Sequence, residues 1–279
     1  MSQTGGSPRA GTVKQITSHA NPVVKEIKGL VAQRKHRTQS GLFVAEGLKL
    51  ATDALDAGWT VRYLALGPDA RDNPKAQQAA AVAKARGAVV LEVSTAILSA
   101  MTRKDNPQTV VGVYAQKTLA LSDIGTADAT VWVALDRVRD PGNLGTIIRT
   151  VDAAGAGGVI LVGDCTDPFA VETVRATMGS LFHVPIAKAN PEAFLDFARN
   201  WPGMVVGTHL EGAVDYRTPD YREPVLLVMG NEQQGLGAET AAACEPLIRI
   251  PQAGQADSLN LAVATGVALY EIRRPHLTL

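Results

Sequence analysis

Four short, almost unbroken apolar runs most constrain what this chain can fold into: residues 131–135, 159–162, 204–207 and 225–229. A strand wetted on one face alternates apolar and polar residues, whereas a run apolar at every position is covered on both faces. That is the signature of a parallel sheet held between helices. Stretches of helical spacing separate the runs, so the second half reads as α/β. The first half carries a smaller α/β pattern. Asn21-Pro22 opens a helix with Val23, Ile27, Leu30 and Val31 at helical spacing, Asn21 suiting the cap and Pro22 the first helical position. Strands are predicted over 42–44, 61–66, 88–93 and 110–115, with helices over 48–57, 74–86 and 95–101. Strong strand runs lapse between 116 and 129. The chain is therefore divided into a disordered tail (1–12), a first module (13–115), a linker (116–129) and a second module (130–279).

Composition narrows the class. Hydrophobic residues make up 46% of the 279 and charged residues 19%, as in an ordinary globular protein. No stretch approaches the roughly 18 consecutive apolar residues of a membrane span. The N-terminus lacks an apolar core and does not read as a signal peptide. The two cysteines, Cys165 and Cys244, have no metal-ligand spacing and are too few for a disulfide framework. Free thiols in a reducing compartment, the cytoplasm, are expected, and no metal. Basic and acidic residues balance at 27 each, which argues against a bulk polyanion binder. The balance is uneven, however. Between residues 11 and 50 stand Lys14, Lys25, Lys28, Arg34, Lys35, Arg37 and Lys49 against only Glu26 and Glu46, making the first module the basic end.

Polar chemistry gathers in three segments, two of them directly after apolar runs, where open α/β sheets bind ligands. In the first, Asn143, Gly145 and Arg149 follow the pattern N-x-G-x-x-x-R after the turn Pro141-Gly142. Asn143 can cap the following helix, and Gly145 and Arg149 lie about one turn apart. A plain cap and a surface salt-bridge partner would explain the same residues. The second segment, residues 230–237, holds Gly230, Asn231, Glu232, Gly235 and Gly237. Its glycines expose backbone N–H and C=O groups able to read an adenine edge or hold a carboxylate, or simply make a turn. It is neither a dinucleotide fingerprint nor a phosphate-binding P-loop. The third segment leads from Ile250 and Gln252 through Ser258, Leu259 and Asn260 into a last helix. Ser258 or Asp257 is expected to cap that helix, with Leu259, Val263, Val267 and Tyr270 facing the core.

Taken in order, these segments resemble the three motifs of the SpoU (TrmH) RNA methyltransferases: N-x-G-x-x-x-R, G-N-E-x-x-G and P-x-x-G-x-x-x-S-L-N. In the first module, Thr17-Ser18-His19-Ala20-Asn21-Pro22 and Gly41-Leu42-Phe43-Val44-Ala45-Glu46-Gly47 resemble the family's ribosomal-protein-like RNA-binding domain. The resemblance implies a parallel-sheet domain tied in a trefoil knot, an exception to the rule against knotted chains. It further implies S-adenosylmethionine as methyl donor, a homodimer, and transfer to a ribose 2′-hydroxyl, with ribosomal RNA preferred over transfer RNA. By the same resemblance, Asn143, Arg149, Glu232, Ser258 and Asn260 form the catalytic set. Thr208, His209, Met229, Gly230, Gly235, Ile250, Gln252 and Leu259 are the donor-binding set. Gln252, Asp257 and Leu261 depart from the family's frequent methionine, glutamate and valine.

Arginine is the family's proposed base. A guanidinium normally keeps its proton, and a bidentate clamp on the 3′-phosphate that also steadies charge on the 2′-oxygen is physically easier. Arg34, Lys35 and Arg37, read at the end of the first helix, are expected to track RNA phosphates. His183 and His209 are read as buried or loop histidines. A non-enzymatic RNA-binding protein would explain the basic module but leave the three motifs without a task.

Overall fold

The computed structural model describes residues 10–126, 131–210 and 213–278. Residues 1–9 of the expected tail and 127–129 of the expected linker lie outside them. Gly11 and Thr12, also assigned to the tail, are fixed instead: Gly11 N donates to Lys84 O and Thr12 O accepts from Val90 N, both at 2.8 Å.

The chain forms two compact units, one reaching to Gln116 and including Phe169–Arg175, the other Lys117–Pro168 with Ala176 onward. The first contains β1 (Val13–Ile16), α1 (Pro22–Ala32), α2 (Arg34–Ser40), β2 (Leu42–Glu46), α3 (Leu48–Asp56), β3 (Val61–Leu66), α4 (Pro68–Arg71), α5 (Pro74–Ala85), β4 (Val89–Val93), α6 (Thr95–Thr102) and β5 (Val110–Ala115). Its sheet runs β1-β4-β3-β5-β2. Four strands were expected and five are found. The extra one, β1, is an edge strand with three of four residues exposed, so it lacks an apolar run to betray it. Asn21 Oδ1 accepts from Val23 N at 2.9 Å and caps α1 as expected. The chain also returns to this unit later: the Phe169 ring stands 5.0 Å from that of Phe43, in the core.

Two expectations about the basic stretch change. The chain bends at Gln33 (φ −136°, ψ 122°), so Arg34 and Lys35 open a second helix and do not close the first. The bend folds α2 back across Gly29, where even a Cβ would stand 2.1 Å from the His36 ring. Arg37 is only 5% exposed and donates from Nη1 to Leu30 O at 2.7 Å. It serves the core of this unit and is not presented at the surface, whereas Arg34 and Lys35 are exposed.

The second stretch of chain holds β6 (Val131–Asp136), α7 (Pro141–Ala153), β7 (Gly158–Val162), α8 (Val171–Ala176), β8 (Ile186–Ala189), α9 (Pro191–Arg199), β9 (Met204–Thr208), β10 (Val214–Asp215), β11 (Val225–Met229), α10 (Ala238–Ala242), β12 (Leu247–Arg249) and α11 (Leu261–Arg273). All of these but most of α8 belong to the second unit. Its seven strands run β10-β12-β9-β11-β6-β7-β8, with every named pairing parallel. Every residue of β6, β7 and β11 is buried, as the apolar runs require. Part of the expected linker docks on this unit: Leu119 N donates to Ile186 O at 2.8 Å, and Leu121 and Ile124 pack on its core. Among the described residues no helix is long and apolar enough to cross a membrane, and no cluster of His, Cys, Asp or Glu could hold a metal.

The last helix is turned from its expected face. Leu261, Ala262, Thr265, Ala268, Leu269 and Ile272 point inward, while Val263 is 53% and Tyr270 45% exposed. Helix α11 packs closely on α7, a Cβ on Gly266 standing only 3.6 Å from Thr150 Cγ2. The inward face sets Leu261, Leu269 and Ile272 beside the small residues Ala262, Thr265 and Ala268, and all six are buried in the packing.

Candidate active site

Register fixes the site's frame. Met229 lies opposite Leu135, Val228 opposite Gly207, and Gly207 opposite Leu247. The carboxyl ends of β6, β11, β9 and β12 therefore share one edge. Residues expected to hold the donor lie at or just beyond it: Thr208 and His209, Met229 and Gly230, and Ile250. His209 N donates to Ile248 O at 3.0 Å, and Thr208 Oγ1 donates to Val228 O at 3.5 Å. Beyond Ile250, residues 251–259 make no hydrogen bond among the described residues, so their N–H and C=O groups are free to meet a ligand. Gln252 in this segment is half-buried, and Leu259 is 37% exposed. Backbone donors and acceptors beside apolar side chains suit an adenine ring and its edge.

In the loop after β6, Asp140 caps α7, its Oδ1 accepting from Asn143 N at 2.6 Å. Asn143 was expected to be the cap. The signal for Asp140 was readable, since Asp before Pro is a standard helix opening. Freed from capping, the Asn143 side chain faces two other loops. Its Nδ2 donates to Glu232 Oε1 at 3.4 Å, and its Oδ1 accepts from Asn260 Nδ2 at 2.9 Å.

The loop after β11 closes on itself. Asn231 N donates to Gly235 O at 3.0 Å and Gly235 N returns to Asn231 O at 2.9 Å. Gly235 has φ +66°, and a Cβ on Gly230 would stand 2.3 Å from the Gly235 carbonyl carbon, so both glycines are required for the turn. Asn231 Oδ1 accepts from Gln233 N and Gln234 N, which lifts Glu232 to the surface. The Glu232 carboxylate accepts from Arg139 N and Asp140 N at 3.4–3.5 Å, at the start of α7, where a helix dipole favours negative charge.

Asn260, and neither Ser258 nor Asp257, caps α11. Its Oδ1 accepts from Ala262 N at 2.9 Å and Val263 N at 3.3 Å. Three of the five expected catalytic residues are thus linked: Glu232 to Asn143 to Asn260. The other two stand apart. Ser258 is exposed and makes no hydrogen bond among the described residues. Arg149 is exposed on α7, six residues beyond Asn143, and has no hydrogen-bonding or ionic partner among them. Gly145 of the same motif is buried in that helix.

An open cleft of about 570 Å³ lies beside the linked residues, lined by Arg137, Arg139, Asn143, Glu232, Gln233 and Gln234. The two arginines were not singled out from sequence. Arg137 is anchored to Asp136, and those hydrogen bonds hold its guanidinium still more firmly protonated. Arg139 pairs with Asp164 at 2.7 Å on the surface. The cleft, which Asp140 also lines, sets amide and carboxylate groups beside arginines already held by Asp136 and Asp164, polar groups able to meet a hydroxyl-bearing ligand such as a ribose.

Comparisons with known proteins identify the family. Residues 130–270 match the SpoU rRNA Methylase family, and residues 21–112 match the MRM3-like substrate binding domain. The chain is 32% identical over 261 residues to the 23S rRNA (guanosine(2553)-2′-O)-methyltransferase RlmP of Bacillus subtilis, covering 94% of this chain and 100% of that one. It is 30% identical over 276 residues to the 23S rRNA (uridine(2479)-2′-O)-methyltransferase of Streptomyces viridochromogenes, covering 97% and 95%. The AdoMet-bound rRNA methyltransferase of Sinorhizobium meliloti superimposes with a TM-score of 0.90 at 56% identity, over 95% of this chain and 99% of that one. With its all-parallel sheet, its three linked motif loops and these matches over nearly its whole length, the chain belongs to the SpoU family of S-adenosylmethionine-dependent RNA 2′-O-methyltransferases.

Proposed function

We propose that this chain methylates a ribose 2′-hydroxyl of ribosomal RNA at the site formed by Asn143, Arg149, Glu232, Ser258 and Asn260. The observation that carries the reading is the side-chain chain from Glu232 through Asn143 to Asn260, which joins three loops at one sheet edge.

Bound S-adenosylmethionine would supply an electrophilic methyl group on a sulfonium, with the neutral thioether as the leaving group. Thr208, His209, Met229, Gly230, Gly235, Ile250, Gln252 and Leu259 would hold this donor through the backbone of the strand ends, the turn after β11 and the loop before α11. Arg149 grips the 3′-phosphate of the target nucleotide and steadies charge on the 2′-oxygen as its proton leaves to solvent. Asn143 and Asn260 orient the ribose, and Glu232 keeps their loops in register. Fixing the hydroxyl in line with the donor contributes on the order of 7 to 11 kcal/mol in favourable systems.

Arg34 and Lys35 give the first unit its phosphate contacts. Two copies of the chain pair through the outward face of α11, whose Val263 and Tyr270 are otherwise left to water. The segment from β12 to α11 threads the family's trefoil knot. The protein works in the cytoplasm, where its two buried thiols stay reduced.

The test is methyl transfer from labelled S-adenosylmethionine to purified ribosomal and transfer RNA, with ribose methylation mapped by nucleotide. Labelling at one ribose of ribosomal RNA, lost when that nucleotide is 2′-deoxy, is the expected result. Labelling of transfer RNA alone, or of a base, would overturn the proposal.

A further inference from the structure

Among the residues that join the loop after β6 to the loop after β11 is Arg137, and its backbone is unusual. Its φ is +53°, a left-handed value that an L-residue with a long side chain rarely adopts. Such conformations persist where the surroundings over-determine them, and here the surroundings do. Nε and Nη2 of Arg137 donate to the two oxygens of Asp136, each at 2.9 Å, and the Asp136 side chain is only 7% exposed. The remaining Nη1 donates to Gln234 Oε1 at 2.9 Å. The Arg137 carbonyl accepts from Asn231 Nδ2 at 2.8 Å.

Asn231 and Gln234 flank Glu232, and both are tied to this one residue. The contacts of Glu232 itself are long, 3.4–3.5 Å to Arg139 N, Asp140 N and Asn143 Nδ2. The shorter hydrogen bonds that set the loop's place therefore run through Arg137. A guanidinium suits the task because its planar fork satisfies a carboxylate with two donors and keeps a third for a neighbour.

We propose that Arg137 is a positioning residue for methyl transfer: it presets the loop 230–235, and through that loop places Glu232 under Asn143. The proposal rests on the reading of Glu232 as part of the active site. Arg137 need touch neither donor nor RNA.

The test uses the full-length enzyme. Arg137→Gly removes the fork while keeping a positive φ free of strain, and because it leaves the buried Asp136 carboxylate without its partner its folding is checked by thermal melting; Gln234→Ala, at an exposed position, removes only the far partner. Arg137→Gly should lower kcat on RNA by about tenfold or more while KM for RNA stays within about threefold. Gln234→Ala should lower kcat less, and the double variant should match Arg137→Gly alone, because the two residues act as one unit. Independently of activity, amide exchange at Gly235 should quicken in both single variants. A kcat for Arg137→Gly within about twofold of the parent, multiplicative losses in the double variant, or unchanged exchange at Gly235 would overturn the proposal. Glu232→Ala separates the layers. If it keeps full turnover, the reading of Glu232 fails; if it loses turnover and Arg137→Gly does not, only the role of Arg137 fails.

Discussion

Asn260 and Asn143 stand 117 residues apart in the chain and meet side chain to side chain, Asn260 Nδ2 donating to Asn143 Oδ1 at 2.9 Å. The other half of the Asn260 amide is occupied as well, its Oδ1 capping α11. One side chain thus starts a helix and fastens it to the first turn of α7.

The two duties can be separated. Asn260→Asp keeps a capping oxygen but cannot donate to Asn143, so stability should hold while kcat falls about tenfold. Asn260→Ala should lose both, with unfolding about 1 kcal/mol easier. Thermal denaturation and turnover measured on both variants check this. Equal turnover in Asn260→Asp and the parent would show that the Asn143 contact does not matter.

Arg149→Ala should bind S-adenosylmethionine with unchanged affinity by calorimetry and lose about 100-fold in turnover on RNA. Its side chain has no partner among the described residues to leave stranded, so stability should be unaffected. Full methylation by this variant would remove Arg149 from the mechanism.

The neighbours Arg34, Lys35 and Arg37 should behave as two classes. Neutralising Arg34 and Lys35 to Gln should flatten the dependence of log K for RNA on log salt by about one to two, with melting unchanged. Arg37→Ala should instead destabilise by about 1–3 kcal/mol, because it leaves the buried Leu30 carbonyl without its donor. A salt slope that moves with Arg37 alone would reverse the assignment.

Val263→Asp with Tyr270→Glu places two charges on the exposed face of α11, where they cost the folded chain little. Sedimentation should then report a monomer where the parent is a dimer. A parent that sediments as a monomer, or a variant that remains dimeric, would show that this face is not the pairing surface.

Burial pushes the Cys165 thiol up to about 11 and that of Cys244 to about 12, from an ordinary value of 9.0. Both should resist a thiol-specific reagent at pH 8 until the protein is unfolded. The folded state holds these protons more tightly than the unfolded chain. Their contribution to stability is therefore complete below about pH 9 and is lost as pH rises through the raised values. Rapid labelling of the native protein would refute the buried assignment.

The sequence by itself determined the α/β class, the covered parallel sheet and the order of the three motif loops. Each of these is written in local terms: apolar runs without alternation, an asparagine-proline helix start, glycines where a turn closes. It could not phase α11, because both of its faces carry apolar residues and only packing against α7 and the sheet decides which one turns inward. It could not separate Arg37 from Arg34 either, since burial depends on where the bend at Gln33 throws the side chain. The return of Phe169–Arg175 to the first unit, and the union of Asn143, Glu232 and Asn260, belong to the tertiary structure alone. Contacts across about a hundred residues are set by how parallel strands align in a sheet, and no window of sequence contains that register.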